Sequence, residues 1–248
     1  MGKIFRVLFL LFLIWIAIVT FACKEEIVAP QTGQISLLTK YSLTPVLQLN
    51  RLGDIYATPF TVDSIQVTRF RLVLKRIKFE SDNDSVEFRT APIVVEYNIS
   101  GAVHEIDVSA VKFGTYREVG FVIHRVNNYD LDNFTPAERA LFADFLAGER
   151  YSMIVDGMVF KNGTGGQPFT YRSRVNEEQK YDLNPPLVIT SSNPNVTVTL
   201  RFSSKGWFLG LSGVLLDPTD SSNQDIIDQN LKASIKVFRD NDRDGDED

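Results

Sequence analysis

The sequence predicts a mainly β fold, an antiparallel two-layer β-sandwich with two short appended α-helices. Three observations predict it. Segments with a side-chain period of two recur through most of the chain, strands and helices do not alternate as they would in an α/β protein, and no internal repeat is present. With 44% hydrophobic residues over 248 positions, an all-β chain of this length can form one domain with a sizeable core.

The body is expected over residues 34–239, starting with "QISLLTKYSL". The strongest strand signal follows at Ser64–Ser81, where Phe70, Leu72 and Leu74 alternate with Arg71, Val73 and Lys75. Apolar parity then moves to Ile77 and Phe79. A period of two cannot change parity without an irregularity, so a bulge is expected near Lys75 and Arg76. "SVEFRT", "IVVEYNIS" and "HEIDVS" read as further strands. "REVGFVIHRV" is apolar on both faces except at His124, which suits a central strand. "YSMIVDGMVF" and "QPFTYRSRV" flank "KNGTGG", whose Asn-Gly and Gly-Gly steps tolerate the positive φ of a hairpin turn. "NVTVTLRF" alternates Val196, Val198, Leu200 and Phe202 with Thr197, Thr199 and Arg201.

Two helices interrupt the strands. "TPAERALFADFLAG" offers Thr135 as N-cap, Pro136 at the first helical position, Glu138 to complete a capping box and Gly148 as a stop. Ala137, Ala140, Leu141 and Phe145 form its expected apolar face. A second helix is expected over roughly Asn223 to Phe238, with Ile227, Leu231, Ile235 and Phe238 on one stripe.

Ahead of the body, Lys3 and Arg6 precede an uncharged apolar run from Val7 to Ala22, the layout of an export signal. The run is shorter than the about 20 residues of a spanning helix. Cys23, the chain's single cysteine, follows it directly, so no disulfide can form within the chain. Thr20-Phe21-Ala22-Cys23 resembles a bacterial lipobox, departing from the usual pattern at Thr20 and Phe21. That resemblance implies cleavage after Ala22 and lipidation of Cys23; the alternative is a buried or chance cysteine. Lys24-Glu25-Glu26 resembles the short signal that takes Bacteroidetes-type lipoproteins to the outer leaflet, and it reads equally as a solvated linker. The expected organisation is a signal peptide over 1–22, a tether over 23–33, the sandwich over 34–239 and an acidic tail over 240–248.

Without residues 1–22 the chain carries 24 Lys plus Arg against 31 Asp plus Glu, a formal charge of −7. No nucleic acid partner is expected for so acidic a body. The tail, "DNDRDGDED", holds the most specific chemical pattern. Asp240, Asp242 and Asp244 stand at i, i+2 and i+4 ahead of Gly245, as in the first half of an EF-hand loop, where alternating carboxylates converge on one hard cation. Asp246 and Asp248 extend the candidate Ca2+ ligand set. The expected entry is through a helix, and the glutamate of the twelfth loop position lies beyond Asp248, so Asp130 and Asp132 or water are candidates to complete the shell. The alternative is a frayed, solvated tail.

Other chemistry is weakly signalled. His104 and His124 are the two histidines, too few for a zinc cluster of familiar spacing, and His124 reads as a hydrogen-bonded structural histidine. "GLSG" fails the nucleophile-elbow spacing at Val214, and "NGTGG" lacks the Lys-Ser/Thr of a phosphate-binding loop. Trp207, Phe208 and Tyr129 are candidates to stack on sugars or partner side chains, the alternative for such aromatics being closure of the sandwich core.

"GTYREVGFVIHRV", "YSMIVDGMVF…GQPFTYRS", "GWF…LLDPTD" and "LKASIKVFRDNDRDGDED" together resemble uncharacterised Bacteroidetes and Ignavibacteria-type secreted lipoproteins carrying a β-rich domain of unknown function. The resemblance implies a fold and an address without an activity. The expected function is a lipid-anchored, non-enzymatic binding or structural module of the outer membrane or cell surface, with a glycan or protein partner and Ca2+ as the candidate stabiliser of its C-terminal end. The alternative is an envelope hydrolase acting on glycans through paired carboxylates.

Overall fold

In the computed structural model of the chain, residues 32–42, 62–81, 85–211 and 213–248 are described. The export signal, Cys23, Lys24-Glu25-Glu26, most of the expected tether and Ser212 of "GLSG" lie outside these residues. Thr32 and Gly33, expected at the end of the tether, already belong to the first strand.

Among the described residues, eleven strands follow in chain order: β1 (Thr32–Ser42), β2 (Val62–Ser81), β3 (Ser85–Arg89), β4 (Ile93–Tyr97), β5 (His104–Lys112), β6 (Gly114–Ile123), β7 (Met153–Lys161), β8 (Gln167–Ser173), β9 (Glu177–Ile189), β10 (Asn195–Ser203) and β11 (Ile235–Arg239). They form two sheets. One has the order β11-β10-β1-β5; the other runs β8-β7-β2-β6-β9, with β3 and β4 also paired to β2. All pairings are antiparallel except β1 with β10. The fold is thus the mainly β, two-sheet sandwich that the periodicity predicts.

The twenty-residue β2 organises the larger sheet. Its first half pairs with β7 and its second with β6, while β4 takes Phe70–Leu74 and β3 takes Ile77–Glu80 on the opposite edges. The expected bulge is present: the β2–β6 register slips between Lys75 and Lys78, and Arg76 has φ of 53°. Phe70, Leu72 and Leu74 before it and Ile77 and Phe79 after it consequently face the same core.

That core lies between the sheets and draws Ile35 and Leu37 from β1, Val198, Leu200 and Phe202 from β10, and Phe121 from β6. At its centre Trp207 packs 4.7 Å from Phe70 and 5.7 Å from Tyr41, ring centre to ring centre, and its indole N–H donates to Ser234 Oγ at 2.7 Å. Apolar bulk and a satisfied polar edge make this ring a joint between the sheets.

Outward-facing β2 residues are also covered. The β6–β7 connection folds back over them, and Val73 joins Val126, Leu131, Phe142, Phe145 and Ile154 in a second, smaller core. Here the single expected helix is two short ones, α1 (Pro136–Ala140) and α2 (Ala143–Leu146). The Thr135–Glu138 capping box forms as predicted. The break at Leu141–Phe142 turns Phe142 and Phe145 inward and leaves Leu141 62% exposed, which corrects the expected face. Two phenyl rings fill the small core better than Leu141 and alanines would.

The second helix is also shorter than expected. α3 (Gln224–Ala233) buries Ile227 and Leu231, and the chain then becomes strand β11 along the edge of β10. Ile235 and Phe238, a same-face pair in a helix, fall on opposite faces of a strand. The Ile-Lys-Val-Phe alternation fits that edge, where unpaired β10 backbone groups supply the hydrogen bonds. The "KNGTGG" hairpin joins β7 to β8 as expected, with positive φ at Asn162 and Gly163.

Truncating Trp207→Ala should destabilise the protein by about 3–5 kcal/mol. Guanidinium unfolding would read this as a lower midpoint, and a loss under about 1 kcal/mol would contradict the central placement of the ring.

Candidate functional site

The Asp-rich segment is folded. Asp240 follows β11 directly, so its position is fixed by the strand: its N–H donates to Thr197 O at 3.1 Å and the residue is 0% exposed. Thr199, on the outward face of β10, donates its hydroxyl to Asp240 Oδ2 at 2.6 Å, and Gly245 N–H donates to the same oxygen at 3.0 Å. Asp240 Oδ1 is buried and, among the described residues, has no hydrogen-bond partner.

The turn that brings Gly245 back to Asp240 has definite requirements. Gly245 adopts φ of +80°, and a Cβ there would run into the Lys40 side chain and come within 2.7 Å of a Val103 methyl. Both the backbone angle and the close approach call for glycine. The N–H of Asp244 donates to Asp242 Oδ1 at 3.3 Å and that of Asp246 to Asp244 Oδ1 at 2.7 Å, so each carboxylate supports the next step of the loop. Lys40 on β1 donates to Asp244 O and pairs with Asp246, each at 2.9 Å; Arg201 on β10 also reaches Asp246, and Arg243 pairs with Glu105 on β5.

One carboxylate oxygen each of Asp240, Asp242 and Asp244 lies within 4.8 Å of the others. The candidate set thus divides: these three converge, Asp246 is held by Lys40 and Arg201, and Asp248 accepts from Asn241 N–H at 2.9 Å. A strand enters the loop where a helix was expected, so the loop is not an EF-hand. Asp130 does not join the group, being committed elsewhere, and Asp132 stays outside it as well. The Asp244 N–H pulls the Asp242 carboxyl down, but desolvation and the Asp244, Asp248 and Asp240 carboxylates outweigh it and leave the Asp242 pKa raised.

Asp130 anchors a second polar cluster. It accepts from Lys75 at 2.5 Å, from His124 Nε2 at 2.7 Å and from Asn127 N–H at 2.9 Å, while Asn127 caps the turn Asn128–Leu131. Burial pushes the Asp130 carboxyl up, yet the bonds from Lys75, His124 and Asn127 outweigh it and hold the pKa at about 2. His124 is therefore the structural, hydrogen-bonded histidine expected. The cluster fastens the β6–β7 connection to β2, as does Arg71, which pairs with Asp144 at 2.8 Å and lies over the Phe145 ring.

The aromatic candidates separate cleanly. Trp207 and Phe208 are core residues, which corrects their assignment as binding residues; the sandwich needs their bulk between its sheets. Tyr129 is 86% exposed on the β6–β7 connection. A surface concavity lined by Arg69, Glu96, Tyr97 and His104 holds one carboxylate, and Arg69 clamps it through two hydrogen bonds of 2.8 and 2.7 Å. Those bonds lower the Glu96 pKa, the wrong direction for a general acid. Asp228 on α3 is pushed up by burial and accepts from Tyr171 Oη at 2.7 Å, which ties α3 to β8. No protein-family model, curated protein or solved structure matches the chain.

Asp130→Asn should cost about 2 kcal/mol by leaving half-buried Lys75 without its anion. Because the folded-state pKa of Asp130 is depressed, its contribution is complete above the ordinary 3.8 and is lost as pH falls through about 2. Urea unfolding between pH 7 and pH 2 should show the difference between wild type and variant shrinking in that window; a constant difference would contradict the assignment.

Proposed function

We propose that the protein is an exported lipoprotein, anchored through Cys23 in the bacterial outer membrane, that works there as a non-enzymatic binding or structural module. The observation that carries this reading is the place of the single cysteine, directly after the apolar run Val7–Ala22 and directly before Lys24-Glu25-Glu26. Eight residues separate Cys23 from Thr32 at the start of β1. Fully extended they span at most about 28 Å, so a lipid on Cys23 would hold the sandwich within one domain's width of the bilayer. The Lys-Glu-Glu sequence supports display on the outer leaflet.

The arrangement of side chains supports binding over hydrolysis. A glycan hydrolase needs two facing carboxyls in unequal environments, one of them kept protonated. Glu96 and Asp130 are held ionised by cationic partners, and Asp228, whose carboxyl burial pushes up, is engaged by the Tyr171 hydroxyl. A glycan or protein partner would meet the β6–β7 connection, where Tyr129 and Leu141 present exposed aromatic and aliphatic surface. The acidic body argues against a nucleic acid partner.

Cys23→Ala should abolish incorporation of radiolabelled palmitate and move the protein out of the outer-membrane fraction. Unchanged labelling and fractionation would rule out the anchor.

A further inference from the structure

We propose that Asp240, Asp242 and Asp244 form a Ca2+ site that fastens the loop Asp240–Asp248 across the outer face of the smaller sheet.

The buried oxygen of Asp240 points to a ligand. A carboxylate oxygen shut off from water and given no donor is costly, and a bound ion is one of the few things that offset that cost. Oδ2 is already engaged by Thr199 and Gly245, which leaves Oδ1 as the unpartnered oxygen of a carboxylate grouped with those of Asp242 and Asp244. The cations around the loop do not fill this role. Lys40 and Arg201 are spent on Asp246 and the Asp244 carbonyl, and Arg243 on Glu105; among the described residues none bonds the three carboxylates.

Distance and chemistry select the ion. Two oxygens each about 2.4 Å from one Ca2+ lie no more than about 4.8 Å apart, and the three ligand atoms meet that limit. An all-oxygen, carboxylate-rich group suits a hard cation and offers no nitrogen or sulfur for zinc. Mg2+ demands a near-ideal octahedron and gives up water reluctantly, whereas Ca2+ accepts six to eight oxygens in irregular array. Water completes the shell on the exposed side of Asp242 and Asp244, and the Asp248 carboxylate adds negative charge nearby. A site with so few fixed ligands belongs with the extracellular class that binds at about 10⁻⁴–10⁻³ M.

Binding would have a structural effect. Leu38, Thr199 and Phe238 lie in one row across β1, β10 and β11, facing away from the main core, and all three are buried. Arg201 stacks on Phe238 at 4.9 Å. The loop is bonded to this sheet through Thr199 and Arg201 on β10, Lys40 on β1 and Glu105 on β5, so an ion holding its three carboxylates together also fastens it to three of the four strands.

The test uses the purified full chain, freed of metal with EDTA and titrated with CaCl2 by calorimetry and thermal unfolding. One site with a dissociation constant of about 10⁻⁴–10⁻³ M is expected, with the melting temperature raised by roughly 3–10 °C at 10 mM Ca2+. Asp242→Asn and Asp244→Asn alter exposed side chains, so both should fold and bind at least tenfold more weakly. Glu247→Gln removes the same charge from the same loop and should change affinity less than twofold. Absence of a calcium-dependent shift, wild-type affinity in both Asp variants, or an equal response to Mg2+ would overturn the site.

Discussion

The structure depends on how β2 meets two incompatible demands. Its hydrogen bonds must run past four partner strands, and Phe70, Leu72, Leu74, Ile77 and Phe79 must all reach one core although their sequence parity changes midway. The irregularity at Arg76 reconciles them, at the cost of a residue held in the left-handed region. Without the shift, Ile77 and Phe79 would point outward, and the half of β2 that pairs with β3 and β6 would have nothing to bury. The two sheets, the aromatic joint at Trp207 and the small outer core all take their places from this strand.

Much of this was legible in the sequence because strand period, turn glycines and helix caps act over a few residues. The bulge, the β7–β8 hairpin and the Thr135–Glu138 box could be read directly. Errors arose where two local readings were equally consistent. Ile227, Leu231, Ile235 and Phe238 satisfy a helical stripe, yet the last two also alternate with polar or partly buried neighbours as a strand does, and only the open edge of β10 decides between them. Trp207 and Phe208 carry no local mark of burial, because glycines flank them as they would in an exposed loop.

Long-range polar pairing was not legible at all. Lys75 and Asp130 are 55 positions apart, and Arg71 and Asp144 are 73 apart. The parallel partnership of β1 with β10 likewise has no signature in either strand. The acidic loop falls between these cases. Its Asp-x-Asp-x-Asp-Gly spacing announced three convergent carboxylates, but the buried, unpartnered Asp240 oxygen and the diversion of Asp246 to Lys40 and Arg201 follow from the strand beneath it.

The position of β1 inside the smaller sheet also has a mechanical consequence. It is hydrogen-bonded along most of its length to β10 on one side and β5 on the other. A pull along the strand from the residues before Thr32 would load both ladders in shear, so many bonds would have to yield together. An edge strand peeled from one end would give way a bond at a time. The sandwich is therefore best braced where the proposed anchor would pull on it.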